Sequence, residues 1–166
     1  MKKRDFDIAF RGLALGQHEF RYDLDDTFFT LFEYSDYRGL RGTTELKMLK
    51  SETVLDLELH FAGSIEVPCD ITNEMYTQVL KNSFVMQIKF GDEYNDENEE
   101  LLILPHGNYQ FNAAQMLYEL VVLSIPSKLL GPNAGNGLED LIEEEEDETE
   151  EKTDPRWDQL KNLLNK

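Results

Sequence analysis

The sequence predicts an α+β fold in which an antiparallel sheet of hairpins or a meander, open or barrel-like, carries a few inserted helices. Three observations support this prediction. Several segments alternate apolar and polar residues with a period of two, short turns join most of them, and few segments show the spacing of a helix. The chain has 166 residues, of which 40% are hydrophobic, so one domain can form a core without a metal ion or a disulfide.

Strand periodicity begins near the N-terminus. We expect strands at residues 5–10 and 17–24, where aromatic and aliphatic side chains alternate with the others. Asp25 or Asp26 then caps a short helix, because apolar residues follow at helical spacing. Residues 37–42, which contain two glycines and two arginines, are expected to form a loop.

The middle of the chain predicts further strands. Residues 43–49 and 54–61 form a predicted hairpin around a short turn, and residues 64–67 continue as a short strand. A further strand is expected to begin after residue 73, with clear alternation at residues 84–90. Another is expected at residues 101–104, after a solvated acidic loop.

A helix is predicted near residues 112–125. Asn112 is a good N-cap, Gln115 three positions later completes a capping-box pattern, and Pro126 ends the segment. The segment is apolar on nearly all sides, so we expect it to be buried between other elements. It completes a domain that we place at residues 1–130.

The tail differs in composition from this domain. Residues 131–152 are predicted to be a flexible acidic linker, because a loop of small and helix-breaking residues leads into a run of acids. Residues 153–166 are predicted to form a C-terminal amphipathic helix. The candidate partner-binding residues of this helix are Asp154, Pro155, Arg156, Trp157, Leu160, Leu163 and Leu164.

The residue types in this helix suit contact with another surface. Asp154 can cap it and Pro155 suits its first position. Its tryptophan and three leucines form one apolar face, and Trp and Arg are enriched at interface hot spots. A helix of this length is marginal alone in water, so it should form stably only when docked. Two interpretations remain, a partner protein or the chain's own domain.

The negative charge is concentrated in two segments. The formal net charge is −18, and residues 139–151 contain ten acids and no base. Residues 92–100 contain six more acids, so the rest of the chain is close to neutral. A chain of this charge repels phosphates, which disfavours nucleic-acid binding by the whole surface and favours a basic protein partner.

No residue pattern predicts catalysis, a cofactor or a metal site. The three histidines are scattered, and Cys69 is the only cysteine, so no intrachain disulfide is possible. Asp70 and Glu66 lie near Cys69 in the sequence and are expected to raise its pKa, which argues against a reactive thiolate. We therefore expect a protein that is not an enzyme and has no small-molecule substrate.

The sequence also predicts no contact with a membrane. No apolar run approaches the ~20 residues that a membrane-spanning helix needs. The positively charged first residues are not followed by the apolar stretch of a signal peptide. We therefore expect a soluble, cytoplasmic protein.

A group of basic residues offers an alternative function. Arg38, Arg41, Lys47 and Lys50 are close in sequence, and two tyrosines precede them, as base stacking would require. These four residues are the candidate site for direct RNA binding. The other interpretation is an ordinary surface of mixed charge.

Four segments, taken in order, share features with one known family. They are residues 10–20, residues 63–70 around the cysteine, residues 118–126 ending in proline, and residues 154–164, which begin Asp-Pro-Arg-Trp. In this order they resemble the first hairpin, the strand entering the cysteine motif, the buried helix and the C-terminal ending of the YceD family, or large ribosomal RNA subunit accumulation protein. The Asp-Pro-Arg-Trp sequence is the most specific of these features.

The resemblance implies a non-enzymatic role in large ribosomal subunit biogenesis, with accumulation of its ribosomal RNA. The family often has Cys-x-x-Cys in its middle motif, whereas this chain has Cys69 and Thr72, which argues against a metal or redox role here. With the charge pattern, a basic ribosomal protein or assembly factor becomes the predicted partner. Ribosomal RNA is the alternative partner.

Overall fold

The computed structural model describes residues 1–98 and 100–135, and these contain eight strands and two α-helices. Six strands form one sheet in the order β2-β3-β4-β5-β7-β6, and β1 pairs with β8 in a separate two-stranded sheet. Two 3₁₀ helices lie at Lys3–Phe6 and Phe10–Gly12. The elements are β1 Asp7–Ile8, β2 Gly16–Asp25, α1 Asp26–Thr30, β3 Arg38–Lys50, β4 Val54–Pro68, β5 Met75–Gly91, β6 Asn95–Asn98, β7 Leu101–Pro105, β8 Phe111–Asn112 and α2 Ala114–Val122.

The predicted α+β class is confirmed, but the form of the sheet differs from the prediction. The sheet is mixed, because β7 lies between β5 and β6 and runs parallel to β5. It is also open, so the barrel-like form is wrong. Strands β2 and β6 form the two edges of the sheet. Other elements cover its apolar face, so the sheet does not have to close into a barrel to bury that face.

The long strands β3, β4 and β5 place most of their large apolar residues on one face of the sheet, whereas Val79 and Val85 of β5 are exposed on the other. Leu46, Leu57 and Leu59 are at most 1% exposed, as alternation with polar residues on the opposite face requires. We call this buried side the inner face and the opposite, solvated side the outer face. The N-terminal segment, α1 and α2 pack against the inner face and complete the core.

Aromatic contacts join the elements that cover the inner face. The ring centroids of Phe6 and Phe28 are 5.3 Å apart, which connects the first 3₁₀ helix with α1. The rings of Phe32 and Tyr118 stack at 4.3 Å, which connects the segment after α1 with α2. The Nζ atom of Lys3 lies 5.0 Å from the centroid of Phe32, a cation–π contact at the rim of this cluster.

The predicted strand at residues 5–10 is wrong in form although its apolar residues are buried. The structure has two 3₁₀ helices there, separated by the two-residue strand β1. Phe6, Ile8 and Phe10 are 1%, 2% and 4% exposed. Every second side chain is therefore buried in the core although no long strand forms. This alternate burial produced the strand-like pattern in the sequence.

Three other boundaries differ from the prediction. Strand β3 begins at Arg38, inside the predicted loop, and a register shift between Arg38 and Arg41 accommodates Gly39 at φ +70°. Strand β4 is continuous where two strands were expected. The predicted acidic loop contains β6, whose four residues are all polar and exposed and therefore gave no apolar pattern.

The start of α2 uses Asn112 in a different way from the predicted capping box. The Asn112 Oδ1 atom accepts from the Ala114 amide at 3.0 Å, while its Nδ2 donates to the carbonyl of Lys3 at 2.6 Å. Gln115 donates to Glu119 at 2.7 Å and not to the cap, so the capping box is absent. Gln115, Glu119 and Leu123 are exposed, so burial on nearly all sides is also wrong.

Within residues 1–98 and 100–135, no helix has both the length and the apolar character that crossing a membrane requires.

We predict that Gly63→Ala destabilises the sheet by about 1–3 kcal/mol, because the added methyl group has no space. A Cβ atom at Gly63 would lie 2.7 Å from the Arg41 carbonyl oxygen and 2.7 Å from the Phe61 ring. Urea unfolding followed by circular dichroism measures the effect. Gly107→Ala is the matched control, since nothing lies within 4 Å of a Cβ there, and equal stability of the two variants would contradict the prediction.

Candidate functional site

The predicted partner-binding segment lies outside the described residues. This applies to Asp154, Pro155, Arg156, Trp157, Leu160, Leu163 and Leu164, and to the acidic linker beyond Gly135. The predicted C-terminal helix and its contacts therefore stay predictions. The described chain does place the point from which this tail begins.

A turn after β4 holds the segment that leads into the tail. The Asp70 amide donates to the Leu129 carbonyl, and the Leu129 amide donates to Asp70 Oδ2, both at 2.7 Å. The Asn133 side chain donates to Glu74 Oε2 at 2.9 Å. We call the pair of Asp70–Leu129 hydrogen bonds the Asp70 clamp. It fixes the chain after α2 to the end of the sheet at which β4 stops and β5 begins.

Cys69 lies inside this turn and is 3% exposed. Hydrogen bonds from the Thr72 hydroxyl, which has the largest effect, and from the backbone amides of Thr72, Gly131 and Ile71 lower the pKa of Cys69 to about 7. The expected rise in its pKa is therefore wrong. Asp70 is engaged with Leu129 by its own hydrogen bonds, and the donors around the sulfur stabilise the thiolate.

No group of three His, Cys, Asp or Glu side chains in residues 1–98 and 100–135 is arranged to hold a metal ion. The hydroxyl of Thr72 occupies the neighbourhood of the Cys69 thiol. Zinc requires several thiolate or imidazole ligands, and a hydroxyl is neither. The Thr72 hydroxyl is therefore a hydrogen-bond donor to the sulfur and has a structural role.

The outer face of the sheet carries charges of both signs in alternation. Lys47 lies directly opposite Glu19 on β2 and Glu58 on β4. Arg21 forms an ion pair with Glu45 at 3.6 Å. A shallow depression of about 520 Å³ crosses this region. Because each cation has acidic neighbours, this part of the face has no continuous positive potential for a phosphate backbone.

The four candidate RNA-binding residues occupy separate places along β3. Arg38 and Arg41 are exposed at its start, while Lys47 lies among the acids described above. The Lys50 Nζ atom donates to the carbonyls of Phe10 and Leu13 and so holds the second 3₁₀ helix. Lys50 lies twelve positions after Arg38 along the strand, roughly 40 Å away. The structure therefore brings together Arg38 and Arg41 and leaves the other two apart.

A groove between α2 and the sheet was not foreseen from the sequence. Its volume is about 540 Å³, and its lining includes Phe84 and Met86 from β5, Leu102 from β7 and Leu120 from α2. We call it the α2 groove. The sequence signal that could have indicated it is Leu123, an apolar residue at the end of an amphipathic helix, which is 77% exposed.

A family model described as "Large ribosomal RNA subunit accumulation protein YceD" matches residues 57–164, more than half of the chain. The match begins within β4 and includes the Cys69 turn, α2 and the tail. No curated protein and no solved structure gives a significant match.

We predict that the Cys69 thiol in the folded protein titrates near pH 7, below its ordinary value of 9.0. Thr72→Val should raise this pKa, because it removes the hydroxyl donor, whereas the control Thr72→Ser keeps the donor and should stay close to the wild type. The ultraviolet absorbance of the thiolate measures the titration. A wild-type midpoint near 9, or equal midpoints for both variants, would disprove the role of the hydroxyl.

The same shift predicts the pH dependence of stability. Between pH 7 and 9 the folded protein has lost the Cys69 proton while the unfolded chain still holds it, so stability rises with pH. The contribution is complete above about pH 9 and is lost as the pH falls through 7. Urea unfolding measures the free energy of unfolding of the wild type and of Cys69→Ala across this range. The difference between the two free energies should grow with rising pH, and a constant difference would refute the linkage.

Proposed function

The chain belongs to the YceD family of large ribosomal RNA subunit accumulation proteins, and we propose that it acts as a non-enzymatic factor in the biogenesis of the large ribosomal subunit. The family name implies a role in the accumulation of large-subunit ribosomal RNA. The proposal goes further and assigns the contact with a partner to the C-terminal tail.

The observation that carries this proposal is the order of features along the tail. The Asp70 clamp fixes the start of the tail at one end of the sheet. Ten acids within residues 139–151 follow, and then a segment with the chain's only tryptophan. A fixed origin, a charged tether and one apolar segment suit a contact element that reaches away from its domain.

The charge of the tether favours a basic partner. Opposite charges raise the rate of encounter and exclude partners of the same sign. We therefore propose a basic ribosomal protein or a basic assembly factor as the partner, with the helix that begins at Asp154 lying in a groove of that protein. The acids of the tether then contribute to encounter, and the apolar face of the helix contributes to the lifetime of the complex.

Several further features belong to this proposal. We propose that the protein uses no cofactor and acts on no small molecule, since its role consists of contact. Cys69 then serves the turn that positions the tail, because its thiol accepts hydrogen bonds from Thr72 and Gly131 inside the protein. We also propose a cytoplasmic location, because the protein would act on ribosome precursors in the cytoplasm.

Direct binding of ribosomal RNA is the second candidate function. The observation in its favour is that Arg38 and Arg41 are both exposed at the start of β3. Neither forms an ion pair with another residue of the described part of the chain. Their number is small, so phosphate contact at this site would be local and weak.

We predict that loss of this protein lowers large-subunit ribosomal RNA relative to small-subunit RNA, and that Trp157→Ala restores less of it than the intact chain. The physical reason is the loss of the largest apolar side chain of the contact helix. The RNA ratio is measured in a deletion strain that carries each variant. Gln159→Ala, on the predicted polar side of the same helix, is the control and should restore the wild-type ratio.

Sedimentation with large-subunit precursors tests the same proposal by a physical route. The intact chain should co-sediment, and a chain that ends at Gly131 should not. Equal co-sedimentation of the two would remove the tail from the mechanism while leaving the role in RNA accumulation in place.

If RNA is bound directly, Arg38→Glu combined with Arg41→Glu should lower the affinity for large-subunit ribosomal RNA about tenfold or more at low salt. The affinity of the wild type should also fall steeply with salt, because each phosphate contact releases counterions. Filter binding across a salt series measures both effects. Lys128→Glu, which changes an exposed cation elsewhere, is the control, and absence of binding at low salt ends this alternative.

A further inference from the structure

The α2 groove is an apolar surface that the described chain leaves partly uncovered. Its floor contains Met86 and Leu102, which are 5% and 8% exposed, and half-buried Phe84. Met116 and Leu123 line it from the side of α2, and Leu123 is 77% exposed. Half-buried Phe84 and Met116 lie beside this exposed leucine, and together they form an apolar patch of the kind at which another segment can pack.

The rim of the groove is acidic. Glu119 on α2 and Asp96 on β6 are both exposed, and both line the groove. Tyr94, which is 58% exposed, donates to Asp96 at 3.0 Å and forms part of the same wall. The groove therefore fits the apolar face of an amphipathic helix whose flanks carry cations.

The C-terminal segment of the same chain has this chemistry. If residues 154–164 are helical as predicted, Trp157, Leu160 and Leu164 lie along one face. Arg156 is four residues before Leu160, and Lys161 is four residues after Trp157, so both cations border the apolar face. Each can approach one acidic side of the groove while the apolar face covers its floor.

The length of the connection permits this contact. The described chain ends at Gly135, and 18 residues precede Asp154. These can span up to roughly 60 Å when extended. The Asp70 clamp places the start of the tail near Tyr76, since Gly131 packs against the Tyr76 ring. The groove begins six residues further along β5, at Asn82, roughly 20 Å away.

We propose that residues 154–164 dock in the α2 groove of their own chain when no partner is bound. The partner in ribosome assembly then competes with the groove for Trp157, so the free protein holds its contact helix in reserve. Docking also supplies the apolar contact without which so short a helix is marginal in water. The self-docked state is a property of the isolated protein and does not depend on the proposed function.

Fluorescence of the full-length protein tests this proposal, because Trp157 is the chain's only tryptophan. The native chain should emit at shorter wavelength than a synthetic peptide of residues 153–166, and acrylamide should quench it several-fold less. Leu123→Glu and Glu119→Lys should each bring quenching close to that of the peptide. Both residues are exposed, and circular dichroism verifies that the variants fold.

Val79→Glu is the matched control, since Val79 is 63% exposed on the outer face of the sheet, and it should leave quenching unchanged. Three results would overturn the proposal. The first is that acrylamide quenches the wild type as strongly as the peptide. The second is that both groove variants keep Trp157 protected from acrylamide. The third is that this protection increases with protein concentration. The last two would assign the segment to another surface and to a second copy of the chain, respectively. The RNA ratio in the deletion strain tests the ribosomal role separately.

Discussion

The apolar inner face of the three long strands must be covered, and the rest of the structure depends on how the chain achieves this. Leu46, Leu57 and Leu59 lie at the centre of that face, and each square ångström of apolar surface removed from water contributes about 25 cal/mol. The cover comes from both ends of the described chain. Asn112 joins them, because its side chain binds the Lys3 carbonyl and the Ala114 amide at the same time.

This arrangement explains why the molecule has two sides of different character. The outer face carries charges of both signs, including the ion pair Arg21–Glu45, and offers little attraction for phosphate. The inner side is apolar, and α2 covers it incompletely, which leaves the α2 groove beside Leu123. The two proposed interaction surfaces, the tail and the groove, both belong to the C-terminal half of the chain. The family match also covers this half.

Local pattern was enough to predict β2, the first part of β4 and the α+β class, because each depends on which residues of one segment face the core. The same pattern misled at Phe6, Ile8 and Phe10, where three buried side chains project from 3₁₀ helices and a two-residue strand. Strand β6 had no apolar residue by which to be found. Its position follows from pairing with β7, which only the folded sheet defines.

The Asp70 clamp escaped prediction because it depends on residues distant in sequence. Asp70 and Leu129 are 59 residues apart, and no local rule joins them. The pKa of Cys69 was misjudged for another reason. The largest causes of its lowering are the hydroxyl and the amide of Thr72, only three residues away, and the folded turn is what directs them at the sulfur. The tail could be predicted only as a segment with certain chemistry, because its contacts depend on a surface that its own sequence does not specify.

The Asp70 clamp has a consequence for binding thermodynamics. By anchoring the chain after α2, it shortens the free tether that leads to Trp157 and so raises the effective concentration of that residue near its own domain, to the order of millimolar for flexible tethers. A partner of the proposed kind would compete against this local concentration, and its apparent affinity would be multiplied by the fraction of chains in which the segment is free. Under this proposal, two hydrogen bonds at the start of the tail help to set how tightly a partner must bind.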